Sequence, residues 1–454
     1  MWLIRTVRNA RMRAAVARRR AAHHVSRDDA ARRALQLDAF NRLWPAISAN
    51  VPYYRDLARS RGLPPQFASW QDVVASLPVM NRDLIRSAGA RLHDASRPPQ
   101  WWRTTGGSSA QPLQLPAWES ERLATGPDLW VGRGWYGLEP SDRALLLWGH
   151  RHLLGEGFKA RLRGLDRRLR DYLAGCCRQS AYDLRPEALR RVGDALLRFR
   201  PAYVLGYSVA LDLFARANAD RAAEFAALRM KAVIATAEGL PAADSAALLE
   251  RTFGAPLAME YGAVETNLIA HTTPAGGYEA FWNTHFVEAA EPGPNGGRIV
   301  RITSLFPRCM PLVRYELGDE IEQGHAAADG LGVLRFERVI GRCNTFLLLR
   351  DGTRIHSEAI THCVAAIPDI ASYQAVQEGD DIALHYTAAA PLAAERVAAL
   401  RRALARVHPL LGEIGVNRVE RHRQTVAGKT PMILRTGTPQ ARSEHAAPVP
   451  MEHA

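Results

Sequence analysis

Four stretches in the larger first part of the chain, and one near its end, carry residue types suited to a phosphorylated ligand. In "RTTGGSSAQPL" (residues 103–113), Thr104 and Thr105 precede the adjacent glycines Gly106 and Gly107, and Ser108 and Ser109 follow. Paired glycines let the backbone approach an anion closely while N–H and hydroxyl groups donate to it, so the stretch reads as a phosphate cradle. No GK[ST] follows, so it is not the Walker A pattern, and a Gly/Ser run is also plain loop material. In "EYGAVET" (260–266), Glu265 comes just after a run that reads as a strand. A carboxylate there can hold Mg2+ and share it with substrate phosphates; a surface glutamate in a loop is the alternative. In "PLVRYELGDE" (311–320), Gly318 reads as a turn and Asp319 as an acceptor for the two hydroxyls of a ribose, although Gly with Asp is also ordinary turn chemistry. "VIGRCNTFLLLRDGTRIHSEAI" (339–360) supplies Arg342 where the sequence changes character.

The fifth stretch is "QTVAGKTPMILR" (424–435). Of 59 Lys+Arg residues, only Lys159, Lys231 and Lys429 are lysine. Arginine is a rigid, permanently charged fork, whereas lysine is a compact ammonium on a flexible stem that concentrates charge on one oxygen. A lysine after a glycine, in a polar turn before a short apolar run, points to a point charge needed at position 429.

These residues need a scaffold to position them. The runs "RALLLWG" (143–149), "AYVLG" (202–206), "KAVIATA" (231–237) and "PLAMEYG" (256–262) read as strands buried on both faces. Between them, residues 185–199 have Pro186 near the start and Leu189, Val192, Leu196 and Leu197 on one face, which predicts an amphipathic helix. Residues 240–254 repeat the design, with Pro241 opening the helix and Gly254 closing it. Strand, helix and strand in that order predict right-handed crossovers, a mostly parallel sheet, and ligands bound beyond the carboxyl ends of its strands. Past about residue 342, "GTRIHS", a helix "EAITHCVAAI", two strands in "SYQAVQEGDDIALHYTA", a helix "LAAERVAALRRALARV" and a last strand "NRVERHR" predict a compact α+β domain, with Lys429 just past its last strand.

A chain of 454 residues is too long for one small core. Its 47% apolar and 23% charged residues are ordinary globular composition. The five cysteines Cys176, Cys177, Cys309, Cys343 and Cys363 form no CxxC pair, so neither a disulfide framework nor a Cys-rich zinc site is expected, and a reducing cytoplasm is. The formal charge of +13 is concentrated in the first thirty-odd residues and around 159–171. It reads either as solvated helix faces or as a surface for an acidic carrier protein, CoA or anionic lipid; no zinc-finger, RRM or helix-turn-helix signature accompanies it, and nucleic acid is not expected. No apolar h-region and no run of 18 apolar residues occurs, so neither a secretory signal nor a transmembrane segment is expected. The closing "TGTPQARSEHAAPVPMEHA" reads as a disordered tail.

Taken in order, the Thr-rich Gly/Ser stretch, YGxxE, RYxxGD, the GR at 341–342 and the terminal GK resemble the adenylate-forming (ANL) superfamily. Within it the chain is most similar to the phenylacetate-CoA ligase branch and its CapK-type relatives, as "NVPYYR" (50–55), "LPVMNRDLIR" (77–86) and "SLFPRCMPLVRYELGDE" (304–320) suggest. The likeness runs from about residue 45 to 435. It implies an α/β fold with a large N-terminal AMP-binding domain over 1–341, including a basic helical lead-in over about 1–45, and a small mobile α+β lid over 342–435, before a tail over 436–454. It implies that Thr104, Thr105, Gly106, Gly107, Ser108 and Ser109 hold ATP phosphates, that Tyr261 and Gly262 pack by adenine, that Glu265 holds Mg2+, and that Asp319 grips the ribose with Arg342 beside it. Glu238 is assigned to the nucleotide as well. Lys429 would bridge the acyl carboxylate and the α-phosphate, and Asn344 would stand at the hinge. The acyl pocket is expected at Trp148, His150, Gly155, Tyr207 and Ser208, which would suit an aromatic or medium-chain acid. His150 and His152 lack a third partner for a metal and read as lining the pocket or supporting the residues that do.

The chain departs from the family in places. Ala110 and Leu113 replace a common Gly and Lys, Asn344 replaces the usual hinge Asp, and TVAGK replaces PRTxSGK. "EQGHAAADGLG" (322–332) stands where relatives carry a zinc-binding CxCG, so no zinc is expected. The activity implied is ATP- and Mg2+-dependent formation of an acyl adenylate followed by transfer to CoA. Transfer to a carrier-protein thiol, a protein cysteine or an amine is the alternative, and a degenerate, non-catalytic binding protein is a second. A homodimer is left open.

Overall fold

The computed structural model describes residues 2–24, 28–104, 113–149, 170–171, 173–181, 184–242, 244–293, 296–322, 331–340, 346–364, 367–370, 372–423 and 432–436, with side chains of the first helix described from Met12 onward. The chain divides into two compact units at residues 344–345.

The first unit is built on an eight-stranded sheet. Strands β3 (Ala144–Trp148), β4 (Cys176–Ser180), β5 (Tyr203–Tyr207), β6 (Ala232–Thr236) and β7 (Leu257–Ala263) lie in the order β4-β3-β5-β6-β7, all parallel. The runs of Leu, Val, Ile and Ala in β3, β5 and β6 are largely buried because helices cover both faces, as parallel strands joined by crossover helices require, whereas β4 and, contrary to expectation, β7 are mostly half-buried. The helix Pro186–Phe199 turns Ala188, Leu189, Val192, Gly193 and Leu196 inward, with proline at its first position, where no N–H is needed. The helix Ser245–Phe253 ends on Gly254 at φ +60°, whose N–H returns to the Glu250 carbonyl. Pro241 does not open that helix, contrary to expectation. The helix starts at Ser245, whose hydroxyl accepts from Ala242 N–H at 3.1 Å and donates to Asp212 at 2.7 Å, so residues ahead of it are held as a turn.

Three antiparallel strands complete the sheet beyond β7: β8 (Asn267–Thr272), β9 (Tyr278–Ala280) and β13 (Arg335–Phe336). A second, four-stranded antiparallel sheet, β10 (His285–Pro292), β11 (Arg298–Ser304), β12 (Tyr315–Glu322) and β14 (Arg338–Ile340), shares a core with the helix Asp29–Asn50, including Phe40, Trp44, Phe286, Ile302 and Tyr315. A short antiparallel pair, β1 (Trp101–Thr104) and β2 (Gln114–Ala117), flanks the Gly/Ser stretch and sets Thr104 opposite Gln114.

The basic first helix, Trp2–His23, is not simply a solvated face. Arg19 pairs with buried Asp128 at 2.9 Å, Arg20 lies 3.5 Å from Glu139, and His23 lies 3.0 Å from Glu279. No helix among the described residues is long and apolar enough to cross a membrane.

In the second unit β15 (Phe346–Leu348) pairs with β16 (Arg354–His356), and β17 (Ser372–Glu378), β18 (Asp381–Thr387), β19 (Gly415–Arg418) and β20 (Ile433–Thr436) form a sheet ordered β19-β18-β17-β20, with the helices Ser357–Val364 and Ala394–Val407. Two expectations change here. The strand read over "NRVERHR" lies earlier, at Gly415–Arg418, where Val416 sits opposite Leu384. Lys429 does not follow the last strand: β20 comes after it, because the apolar Ile433–Leu434 pair aligns in parallel with Ala375 and Val376 of β17. Thr436, read as the first tail residue, ends that strand.

Glycine substitutions separate backbone strain from overpacking. Gly62 (φ +59°) has open space where a Cβ would point, whereas a Cβ on Gly254 would fall 2.6 Å from the Ala226 Cβ. Gly62→Ala should cost about 1–2 kcal/mol from the left-handed backbone alone. Gly254→Ala should cost roughly 1–3 kcal/mol more, from the clash, as read from the denaturant midpoints of the two variants.

Candidate functional site

The carboxyl ends of β3, β5, β6 and β7 lie side by side, and most of the described site residues gather along them. At the end of β3, Trp148 meets Tyr207, the last residue of β5, with ring centroids 4.2 Å apart and planes inclined by 39°. The chain turns directly from Tyr207 into the helix Ser208–Ala217. Its first turn is tied to the residue that follows β6 and Ala237: the Ser208 hydroxyl donates to the Glu238 carbonyl at 2.8 Å, and the Glu238 carboxylate accepts from Val209 N–H at 3.2 Å. A carboxylate at that position meets the positive end of the helix dipole. Ala237 reaches this geometry at φ +73°.

At the end of β7, Tyr261 is buried on edge against Tyr278 and Phe336, which stack on each other at 4.9 Å. Its hydroxyl donates to Asp319 Oδ2 at 3.3 Å. Asp319 is not in a turn after a strand, as its sequence context suggested. Gly318, at φ +83°, lies inside β12 where the register with β11 slips between Ile299–Glu320 and Arg301–Glu316. A bulge re-aims the residue beside it, which is how a strand interior can present Asp319 to Tyr261. Gly262 is exposed, and a Cβ there would lie 2.4 Å from the Asn267 carbonyl oxygen, so the tight crossing from β7 to β8 requires glycine.

Glu265 sits in that crossing and is 2% exposed. One oxygen, Oε1, accepts from Arg82 Nη2 at 2.8 Å and from the Tyr315 hydroxyl at 3.2 Å. Arg82 is the first residue of the helix Arg82–Ala88, and Tyr315 opens β12. Burial, then the carboxylate itself, pushes the Tyr315 hydroxyl up, so it stays a donor. The second oxygen, Oε2, has no hydrogen-bond partner among the described residues. A donor set of one free carboxylate oxygen fits Mg2+, which draws the rest of its shell from water and phosphates. Among the described residues no group of three or more His, Cys, Asp or Glu could hold a metal by itself.

Behind Glu265, His285 is fully buried and its Nε2 donates to the Thr266 carbonyl at 3.0 Å. Burial, reinforced by the Arg308 cation, lowers its imidazole to about 3.

Sequence reading placed Glu265, Asp319, Tyr261, Trp148, Tyr207, Ser208 and Glu238 without their connections. It missed Arg82 and Tyr315 as partners of Glu265, although both lie in quoted stretches, because no spacing rule links residues 82, 265 and 315. Thr104 is exposed at the end of β1 and donates to Gln114 at 3.3 Å. Thr105, Gly106, Gly107, Ser108, Ser109, His150, Gly155, Arg342, Asn344 and Lys429 lie outside the described residues, as do most of the 159–171 segment, residues 323–330 of the zinc-replacing segment, and the tail beyond Thr436.

With this geometry in hand, the chain can be compared with known proteins. No family model matches it, and no curated protein does. Its fold is similar to solved structures of 2-hydroxyisobutyryl-CoA ligase. With that ligase in its thioesterification state, in complex with 2-HIB-AMP and CoA, the TM-score is 0.57 at 16% identity over 90% of this chain and 91% of that one. With the open conformation, also holding 2-HIB-AMP and CoA, it is 0.53 at 17% identity over 88% and 90%. With the postadenylation state in complex with 2-HIB-AMP it is 0.54 at 16% identity over 90% and 91%. The likeness covers both units and establishes the fold.

His285 should make acid stability pH-dependent. A group whose folded value lies below its ordinary 6.5 stabilises the fold fully above pH 6.5 and loses that contribution as pH falls toward 3. At pH 4.5 the loss should be on the order of 2–3 kcal/mol. His285→Gln, which keeps a donor toward Thr266, should flatten that part of the slope when urea midpoints at pH 7 and pH 4.5 are compared in the two proteins.

Proposed function

We propose that this chain is an adenylate-forming ligase, which activates a carboxylic acid with ATP and then passes the acyl group to CoA. The observation that carries the reading is the Tyr261–Asp319 hydrogen bond, which sets a carboxylate at the end of β7 beside the buried Glu265 turn. It is supported by the same fold in a ligase seen with an acyl adenylate and CoA. Among the branches of the superfamily, the "NVPYYR" and "SLFPRCMPLVRYELGDE" stretches favour the phenylacetate-CoA ligase branch.

A carboxylate is a poor electrophile, and its oxygen is a poor leaving group. Attack of that oxygen on the α-phosphorus of ATP forms a P–O bond, expels pyrophosphate and leaves AMP as the new leaving group. In this scheme Asp319 accepts the ribose hydroxyls, with its second partner, Tyr261, fixing its direction. Glu265 would hold Mg2+, which would supply charge neutralisation for the phosphates. The Gly/Ser stretch, with Thr105 and Ser108 among its donors, cradles the departing phosphates, and Arg342 stands beside the ribose. Lys429, carried by the second domain, neutralises charge on the in-line oxygens and withdraws for the second half-reaction. The thiol then attacks the acyl carbon, AMP leaves, and a thioester results. Trp148 and Tyr207, paired at the strand ends, favour an aromatic or medium-chain acid.

CoA is taken as the acceptor because the ligase of the same fold is seen with CoA; Arg19 and Arg20, part of the basic lead-in, are engaged with Asp128 and Glu139 of the chain itself and so serve neither a carrier protein nor CoA phosphates. Among the described residues the cysteines Cys176, Cys177, Cys309 and Cys363 form no disulfide, in keeping with the reducing cytoplasm expected.

Pyrophosphate release with a panel of carboxylic acids, with and without CoA, tests the reading. Release followed by CoA thioester supports it, release without thioester favours another acceptor, and no release with any acid favours a non-catalytic binding protein. Lys429→Ala should cut adenylate formation by orders of magnitude and leave thioester formation from supplied adenylate comparatively intact. Equal loss in both half-reactions would remove Lys429 from its assigned role.

A further inference from the structure

Glu121 stands in the third position of the helix Glu119–Trp135 and is fully buried. A carboxylate so placed is expected to close a capping box, and Oε1 does accept from Trp118 N–H at 3.0 Å. Its other bonds go further than a cap needs. The same oxygen accepts from Cys309 N–H at 3.0 Å, Oε2 accepts from Arg103 Nη2 at 2.6 Å, and Arg308 Nε lies 3.6 Å from Oε2.

Both arginines continue to the turn that carries Glu265. Arg103 Nη1 donates to Asn267 Oδ1 at 2.9 Å and reaches the Val264 carbonyl at 3.4 Å. Arg308 Nη2 donates to the carbonyl of Glu265 itself at 2.5 Å. Asn267, held at φ +65°, closes the ring by donating to the Thr125 hydroxyl at 3.2 Å, which in turn donates to the Glu121 carbonyl at 3.1 Å. Residues 263–267 are thus gripped from two sides by cations that share one carboxylate. Arg103 also immediately precedes Thr104, the last residue of β1 before the Gly/Ser stretch.

We propose that Glu121 is the positioning residue of the nucleotide site: through Arg103 and Arg308 it holds the strand that feeds the phosphate-binding stretch in register with the turn that presents Glu265. The proposal rests on the ligase reading above. Arg103 and Arg308 are both buried, so removing this carboxylate leaves two buried guanidinium groups without their shared anion. A carboxamide at 121 still accepts through one oxygen but turns its amino group toward a cation.

The test is Glu121→Gln, assayed by ATP–pyrophosphate exchange and by backbone hydrogen exchange. The KM for MgATP should rise about 10- to 100-fold, as when a supporting ligand partner is removed. The KM for the acid should stay within about threefold. Hydrogen exchange should quicken in peptides covering 101–104, 114–117 and 263–267 and remain as in the wild type in β5 and β6. An active variant with unchanged KM for MgATP, or exchange quickened throughout the first unit, overturns the proposal. A wild-type protein that shows no pyrophosphate exchange with any acid overturns the ligase reading instead; local quickening then still supports the positioning role, and wild-type protection overturns it. Should Glu121→Gln fail to fold, Arg103→Lys is read the same way, since one ammonium cannot span Glu121, Asn267 and Val264 together.

Discussion

A carboxylate removed from water must be matched by a cation and by hydrogen-bond donors, or it loses more in desolvation than packing returns. The first unit meets that requirement repeatedly, and its elements are placed by it. Glu265 is met by Arg82, Glu260 by Arg133 at 2.7 Å, Asp128 by Arg19, and Glu288 by Arg314. Each pair joins segments far apart in the chain, so satisfying a charge also docks one element on another. Arg314, at φ +51°, shows why arginine serves: its fork holds both oxygens of Glu288 and also donates to the carbonyls of Val74 and Leu77 at 2.8 and 2.7 Å. One lysine ammonium lacks the span for such a set. At these buried pairs the use of arginine is therefore architectural.

The same requirement shapes the site. Along the sheet's carboxyl edge, Glu238 meets a helix N-terminus and Asp319 meets a tyrosine hydroxyl, so each polar group is oriented by a neighbour before any ligand arrives. Preoriented groups lose little on binding, because their rotamer freedom has already been surrendered to folding. Glu265 combines both demands: Oε1 is committed to Arg82 and Tyr315, and Oε2 stays available. The β-bulge at Gly318, the left-handed turn at Asn267 and the left-handed Ala237 before Glu238 are the backbone irregularities that aim these carboxylates.

Local pattern carried the sequence reading well where one element decides its own form. The apolar runs 143–149, 202–206 and 231–237 became β3, β5 and β6 because a strand buried on both faces needs little beyond its own composition, and 256–262 became β7 although most of it is only half-buried. Gly254 closed its helix because only a residue tolerant of positive φ fits there. Where a partner decides, the reading slipped. Ser245, held by Asp212, moved a helix start away from Pro241. Ile433 and Leu434 became an additional strand only because β17 offers an open edge. The antiparallel sheet of β10, β11, β12 and β14 left no comparable apolar signal, since the continuously buried runs of β10 and β11 include the polar residues His285, Glu288, Arg301, Thr303 and Ser304.

Residue type and order alone determined that the chain would form an α/β fold, and singled out Glu265 and Asp319 as candidates, because glycine, proline, strand-forming runs and short polar motifs act over a few residues. Tertiary structure decided which oxygen of Glu265 is free, that Gly318 bulges inside a strand, and that Glu121 gathers residues 103, 118, 308 and 309 around one carboxylate. Those outcomes depend on contacts between residues up to 188 positions apart, and proximity of that kind exists only once the chain has folded.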